Sequence, residues 1–191
     1  NMETSFIFKE FFNRSIETTR YESRESQSFV DTSSRENYLF NSTINGIEES
    51  DLILLIGANP RYEATMVNAR IRKAYLNNKT NIISLNNMGD LTYPYKNLDG
   101  KTQTFKDIIE NKHEISKDIL ASKKPLIILG ESFLKNKSAE FLFTSLKNFL
   151  SKNNKYLDNW NPLNILSTNA ATVGNFDLDV VSHDSELLND L

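Results

Sequence analysis

The chain has 191 residues, 39% of them apolar and 25% charged, with a net charge of -3 and no cysteine. That length suffices for one domain with a real core. The missing cysteines exclude disulfides, zinc–thiolate sites, thiolate-ligated iron–sulfur clusters and a cysteine nucleophile in this chain. The charge gives no electrostatic basis for a nucleic-acid partner, and the longest apolar runs, 52–56 and 125–129, are too short to insert into a membrane.

Residues 5–14 carry Phe6, Ile7, Phe8, Phe11 and Phe12, a spacing that predicts a short helix packed on a core. Residues 15–36 are rich in Ser, Thr and charge, with Ile16, Tyr21, Phe29 and Val30 as the available anchors. This stretch reads as an extended surface segment docked on a neighbour, although disorder suits its composition as well. The expected organisation is therefore an N-terminal helix and docking segment over 1–36, an α/β domain fragment over 37–176 and an acidic tail over 177–191.

Residues 37–46 predict a short helix or turn before the acidic pair Glu48 and Glu49. The apolar run 51–57 ends in glycine, as a strand buried on both faces does. The following helix places Ala64, Val67, Ile71 and Ala74 on one stripe and ends near Asn77 and Asn78. Residues 81–85 supply a second buried strand, so the unit is βαβ with a parallel sheet. After a loop over 91–100 come two short helices with Phe105, Ile108, Ile109, Ile115 and Ile119 inward. Residues 125–130 form a third buried strand, again closed by glycine, and 138–152 an amphipathic helix with Leu142, Leu146, Phe149 and Leu150 on one face. Residues 162–173, with Pro162 in the first turn, predict a last helix with no further strand beyond it. Trp160 then serves as a helix-entry anchor. Three strands make a thin sheet with exposed edges, which predicts that other chain completes the domain.

The loop Gly57-Ala58-Asn59-Pro60-Arg61 lies at the carboxyl end of a parallel strand and opens a helix. Doubly wound sheets hold phosphates there, because free helix N–H groups favour anions. Gly57 allows a tight turn and Arg61 could meet a phosphate or a carboxylate. The alternative is a plain strand-to-helix turn in which Arg61 bridges to Glu63 or Glu49. Neither the three-glycine dinucleotide fingerprint nor a Walker A loop occurs in the sequence.

Catalytic constellations are sparse. His113 and His183 are the two histidines, both in polar contexts without metal-ligand spacing, and there is no G-x-S-x-G elbow. Carboxylate pairs such as Glu48–Glu49 and Asp177–Asp179 read as solvated charges. Arg70, Arg72 and Lys73 make a small basic patch, either a solvated helix face or an ion-pair contact with another subunit. Asparagine is frequent, at 24 residues, so the four N-x-S/T sequons at Asn13, Asn41, Asn78 and Asn136 are what chance supplies.

The stretch 35–76 resembles the 75-kDa subunit of mitochondrial respiratory complex I. The matching residues are Asn37-Tyr38-Leu39, Gly46-Ile47-Glu48-Glu49, Gly57, Asn59-Pro60-Arg61, Glu63-Ala64 and Asn68 to Lys73. Asp90 to Tyr93, Lys123-Lys124-Pro125, Leu129-Gly130 and Asn164 to Leu166 follow in order, so the likeness spans roughly 7–178. Thr65 stands where that family usually has Pro. The resemblance implies a Rossmann-like, molybdopterin-oxidoreductase-like α/β fold that serves as a scaffold. Its implied place is the peripheral arm, on the matrix side of the mitochondrial inner membrane. It implies no catalytic residue and no metal in this chain, with Gly57, Asn59, Pro60 and Arg61 a vestigial cofactor loop. The iron–sulfur clusters and FMN that carry electrons from NADH to ubiquinone would sit elsewhere in the complex. Its partners would be other complex I subunits, above all the cluster-bearing and C-terminal pieces of the same subunit. A molybdopterin-binding oxidoreductase fragment that uses 57–61 on cofactor phosphate is the alternative.

Overall fold

The computed structural model describes residues 2–24 and 28–182. In chain order the elements are α1 (Met2–Phe11), α2 (Thr43–Gly46), β1 (Leu52–Ile56), α3 (Pro60–Glu63), α4 (Thr65–Asn78), β2 (Asn81–Ser84) and β3 (Lys96–Asn97). They continue with α5 (Thr102–Ile109), α6 (Glu114–Ala121), β4 (Pro125–Gly130), α7 (Glu131–Leu134), α8 (Ala139–Lys152), β5 (Leu163–Leu166) and α9 (Thr172–Asp177).

All strand pairs are parallel, in the order β3-β2-β1-β4-β5. Leu52 stands opposite Asn81 on one side and Pro125 on the other, and Ile127 stands opposite Leu163. Because side chains alternate across a strand, the apolar runs serve two layers. Leu52, Leu54, Ile56, Ile127, Leu129 and Ile165 face α5, α6 and α8, where Phe105, Ile108, Ile115, Ile119, Leu142, Phe143 and Leu146 meet them. Ile53, Leu55, Ile82, Leu126 and Ile128 face Val67 and Ile71 of α4, together with Ile47, Leu91, Tyr93 and Trp160.

Four expectations are corrected. The segment 162–173 holds the strand β5 and the start of α9 instead of one helix, so the sheet has five strands. The loop over 91–100 contains the two-residue strand β3. Trp160 is buried at the entry to a strand, where its Nε1 donates to Pro125 O at 2.9 Å. α1 lies three residues earlier than the expected 5–14 and buries none of its residues, and Phe6, Ile7, Phe8 and Phe11 stay exposed.

The outer edge of β5 is covered by the chain itself. Ile165 N donates to Leu39 O at 2.9 Å, Asn41 Nδ2 to Leu163 O at 2.7 Å, and Ser42 N to the fully buried Asn164 Oδ1 at 2.8 Å. A covered edge cannot template pairing with another strand. The segment from 28 onward packs on this same domain: Phe29 N donates to Leu134 O at 2.8 Å, and its ring lies 5.5 Å from that of Phe143. The predicted acidic tail is described only to Ser182, with Val180 and Val181 buried; His183 and the residues after it lie outside the described residues.

Candidate functional site

The strand order reverses between β1 and β4, and ligands of doubly wound sheets bind at the carboxyl ends of the strands at such a point. Here the two strand ends, Gly57 and Gly130, close on each other. A Cβ on Gly130 would run into Gly57 O and the Ala58 Cα, and one on Gly57 would meet the backbone and Cβ of Phe133. Gly57 also adopts φ +62°, a conformation that favours glycine. Ala58 is fully buried. Backbone therefore fills the gap between the two strand ends, while Gly57 and Phe133 line a cavity beside it with Leu85, Asn86, Lys101 and Phe105.

Beyond Gly57 the loop caps itself. Pro60 starts α3, its fixed φ suiting the first turn. Glu63 Oε1 reaches back to accept from Asn59 N at 3.1 Å, one residue later than in the usual capping box. Asn59 Nδ2 donates to Met88 O at 3.2 Å, which ties the turn to the loop after β2. That bond fixes the amide orientation, leaving Asn59 Oδ1 as an acceptor. Asn59 Oδ1 and Glu63 Oε2 are both buried without a partner.

Arg61 is also engaged. Its Nη1 lies 2.7 Å from the Asp90 carboxylate and donates to the Asp90 carbonyl, so neither Glu63 nor Glu49 is its partner. The Thr92 N–H, which donates to Asp90 at 2.7 Å, and then Arg61 hold the Asp90 carboxyl below its ordinary value. Glu49 pairs instead with Lys124 at 2.6 Å. Sequence reasoning misses two residues central to this arrangement, Asp90 and Glu63 in its capping role. The spacing Asp90-Leu91-Thr92 is the available signal, since Asp often accepts from the N–H two residues on.

The basic trio divides. Lys73 lies 2.8 Å from Glu48, and Arg70 pairs with the same carboxylate. Lys73 and then Arg70 hold Glu48 below its ordinary value. Arg72 is exposed and makes no ion pair among the described residues. Asp177 is likewise structural, paired with Arg35 at 2.8 Å and accepting from Tyr38 Oη at 2.9 Å. His113 caps α6, its Nδ1 accepting from Ile115 N at 3.3 Å. Among the described residues no group of His, Asp and Glu is placed to hold a metal, and no helix is long and apolar enough to cross a membrane.

A family model described as molybdopterin oxidoreductase matches residues 1–189. The chain is 34% identical over 194 residues to the NADH-ubiquinone oxidoreductase 75 kDa subunit of Reclinomonas americana, covering 95% of this chain and 28% of that protein. It is 36% identical over 145 residues to the mitochondrial NADH-ubiquinone oxidoreductase 78 kDa subunit of Candida albicans, covering 75% of this chain and 20% of that one. Against the mitochondrial NADH dehydrogenase (ubiquinone) iron-sulfur protein 1 of Solanum tuberosum the identity is 34% over 147 residues, 77% of this chain and 20% of the relative. The chain thus spans at most 28% of the length of these relatives.

The family's cofactor carries a phosphate, and the loop does not fit one. A phosphate offers mainly acceptor oxygens, whereas the two unpartnered atoms here, Asn59 Oδ1 and Glu63 Oε2, are acceptors too. The Asn59 N–H that could receive an oxyanion already donates to Glu63, whose carboxylate would repel one, and Arg61 Nη1 points to Asp90. The match over 1–189 and the five-stranded parallel sheet with its strand-end loop carry the assignment: the chain belongs to the molybdopterin oxidoreductase family.

Proposed function

We propose that this chain is a scaffold portion of the 75-kDa subunit of respiratory complex I, in the peripheral arm on the matrix side of the mitochondrial inner membrane. Its work is to hold shape. Electrons pass from NADH to ubiquinone through FMN and iron–sulfur clusters held by other parts of the complex, and this portion binds no redox group. Its partners are other complex I subunits, including the cluster-bearing and C-terminal parts of the same subunit. The names of the relatives, matched over most of this chain, support the assignment to the complex.

The observation that carries the scaffold reading is the self-capped strand-end loop, whose polar groups bond to one another. Asn59 N donates to Glu63, Arg61 is paired with Asp90, and Phe133 packs against Gly57. The segment before residue 37 and the outward Arg72 are the proposed contacts with neighbouring polypeptides. Native gel electrophoresis of mitochondrial membranes, with antibody to this chain, tests the assignment. Comigration with NADH dehydrogenase activity in the high-mass band is the expected result, and a free species at the mass of the chain refutes it.

A further inference from the structure

α1 is the unexplained element of the fold. It is a helix of ten residues in which none is buried, although Phe6, Ile7, Phe8 and Phe11 lie on it. Their exposures are 51, 65, 56 and 50%, far from what aromatic and aliphatic side chains normally keep in water. Thr4, Ile7, Phe8 and Phe11 follow the i, i+3, i+4, i+7 spacing and line one open apolar recess. The other side of α1 is anchored on α9, with Lys9 Nζ donating to Leu178 O and Met2 against Gly174. The helix is therefore held in place with its apolar stripe facing outward, the arrangement of a helix that packs against a second one.

Resting on the scaffold reading above, we infer that this stripe is covered by an apolar helical face of the same subunit. That face belongs to the part of the family protein outside the stretch matched here. Three observations select this occupant. First, the family match includes α1, so the helix is an element of the family domain and its contact is assigned to the domain's own packing. Most of the relatives' length lies outside the match, which covers 28% or less of each. Second, a ten-residue helix is about 15 Å long. One stripe on it falls well short of the roughly 800 Å² per partner that two separate copies need to associate stably. As one part of a larger contact within a subunit it needs no such area. Third, Glu3 and Glu10 balance Lys9 and Arg14 over this segment, with Glu10 and Arg14 paired at 2.6 Å. A helix that lies on a membrane surface carries instead an excess of Lys and Arg on its polar face.

The test places a photo-crosslinking amino acid at position 7 of the chain in its native complex and identifies the product by mass spectrometry. A crosslink to a peptide of the 75-kDa family subunit outside the matched stretch is expected. In parallel, Ile7→Ser with Phe11→Ser should lower incorporation of the chain into the complex by about tenfold or more, since two buried apolar side chains are lost from the contact. Neither side chain is in the chain's own core, and Phe11 meets the Phe12 ring within the N-terminal segment, so the thermal midpoint should move little. A crosslink to a second copy, to lipid or to an unrelated protein overturns the inference, as does an intact complex that yields no crosslink. A chain that never enters the complex overturns the scaffold reading instead, and the native gel separates that failure from this one.

Discussion

Gly130 and Gly57 set how closely the two central strand ends approach. A methyl group on Gly130 would have to displace Gly57 O and the buried Ala58, in the turn directly after β1. Gly130→Ala should therefore lower stability by about 1–3 kcal/mol, the usual cost of overpacking, measurable as a shifted urea midpoint. Arg61→Ala offers a contrast. Its partner Asp90 is well exposed, so little stability should be lost. Were Arg61 holding a cofactor, the same change would abolish activity of the assembly; here NADH oxidation should persist.

Among the elements, the starts of β1 and β4 are tied by one side chain. Asp51 accepts from Lys123 N at 2.7 Å and Lys124 N at 3.1 Å, and from the Ser122 hydroxyl. Burial by itself would raise its carboxyl, but these three donors bring it below its ordinary value. A carboxyl depressed in the folded state stabilises the fold above its unfolded pKa, and that contribution fades as pH falls through the folded value. Asp51→Asn should thus be less stable than the parent by about 1 kcal/mol at pH 7. The gap should narrow as the pH drops below about 4, where the carboxyl of the unfolded chain begins to protonate. Thermal unfolding over a pH series checks both limbs.

The strands are unequally legible in the sequence. β1, β2 and β4 stand out because each is a short apolar run between turn residues, and α4 and α8 because their stripes repeat at helical spacing. β5 is hidden. Its four residues include Asn164, and a brief run buried throughout cannot be told from a helical segment by periodicity. The reason for Asn164 is tertiary: its side chain receives Ser42 where the 39–42 segment covers the sheet edge. β3, two exposed polar residues, carries no apolar signal at all. At the loop, glycine, proline and arginine are visible from the motif, but the partners that close it are remote contacts. Asp90 lies 29 residues beyond Arg61, and no local rule pairs them.

Across the whole molecule, the N-terminal segment meets Ser182 at one ion pair. Arg24 pairs with Glu22 at 2.6 Å, the two side chains being 9 and 4% exposed. Arg24 Nη2 donates to Ser182 O at 2.9 Å, and Ser182 N to Glu22 Oε2 at 3.1 Å. Burial pushes the Glu22 carboxyl up, but Arg24 and the Ser182 N–H outweigh it and leave the group below its ordinary value. Glu22→Gln leaves a buried guanidinium without its counter-ion, at a cost of about 3 kcal/mol. Because the loss falls on a peripheral contact, it should appear as faster hydrogen exchange at Val180 to Ser182 while the sheet amides stay protected.

In the scaffold reading, this domain has kept the fold of a cofactor-binding family while its strand-end loop is tied up by contacts of its own. Elemental analysis of the complex purified through a tag on this chain addresses it most directly. The expected preparation oxidises NADH with a quinone acceptor and contains iron, with molybdenum and tungsten at background. Stoichiometric molybdenum or tungsten that disappears when Asn59 and Arg61 are replaced together would contradict it.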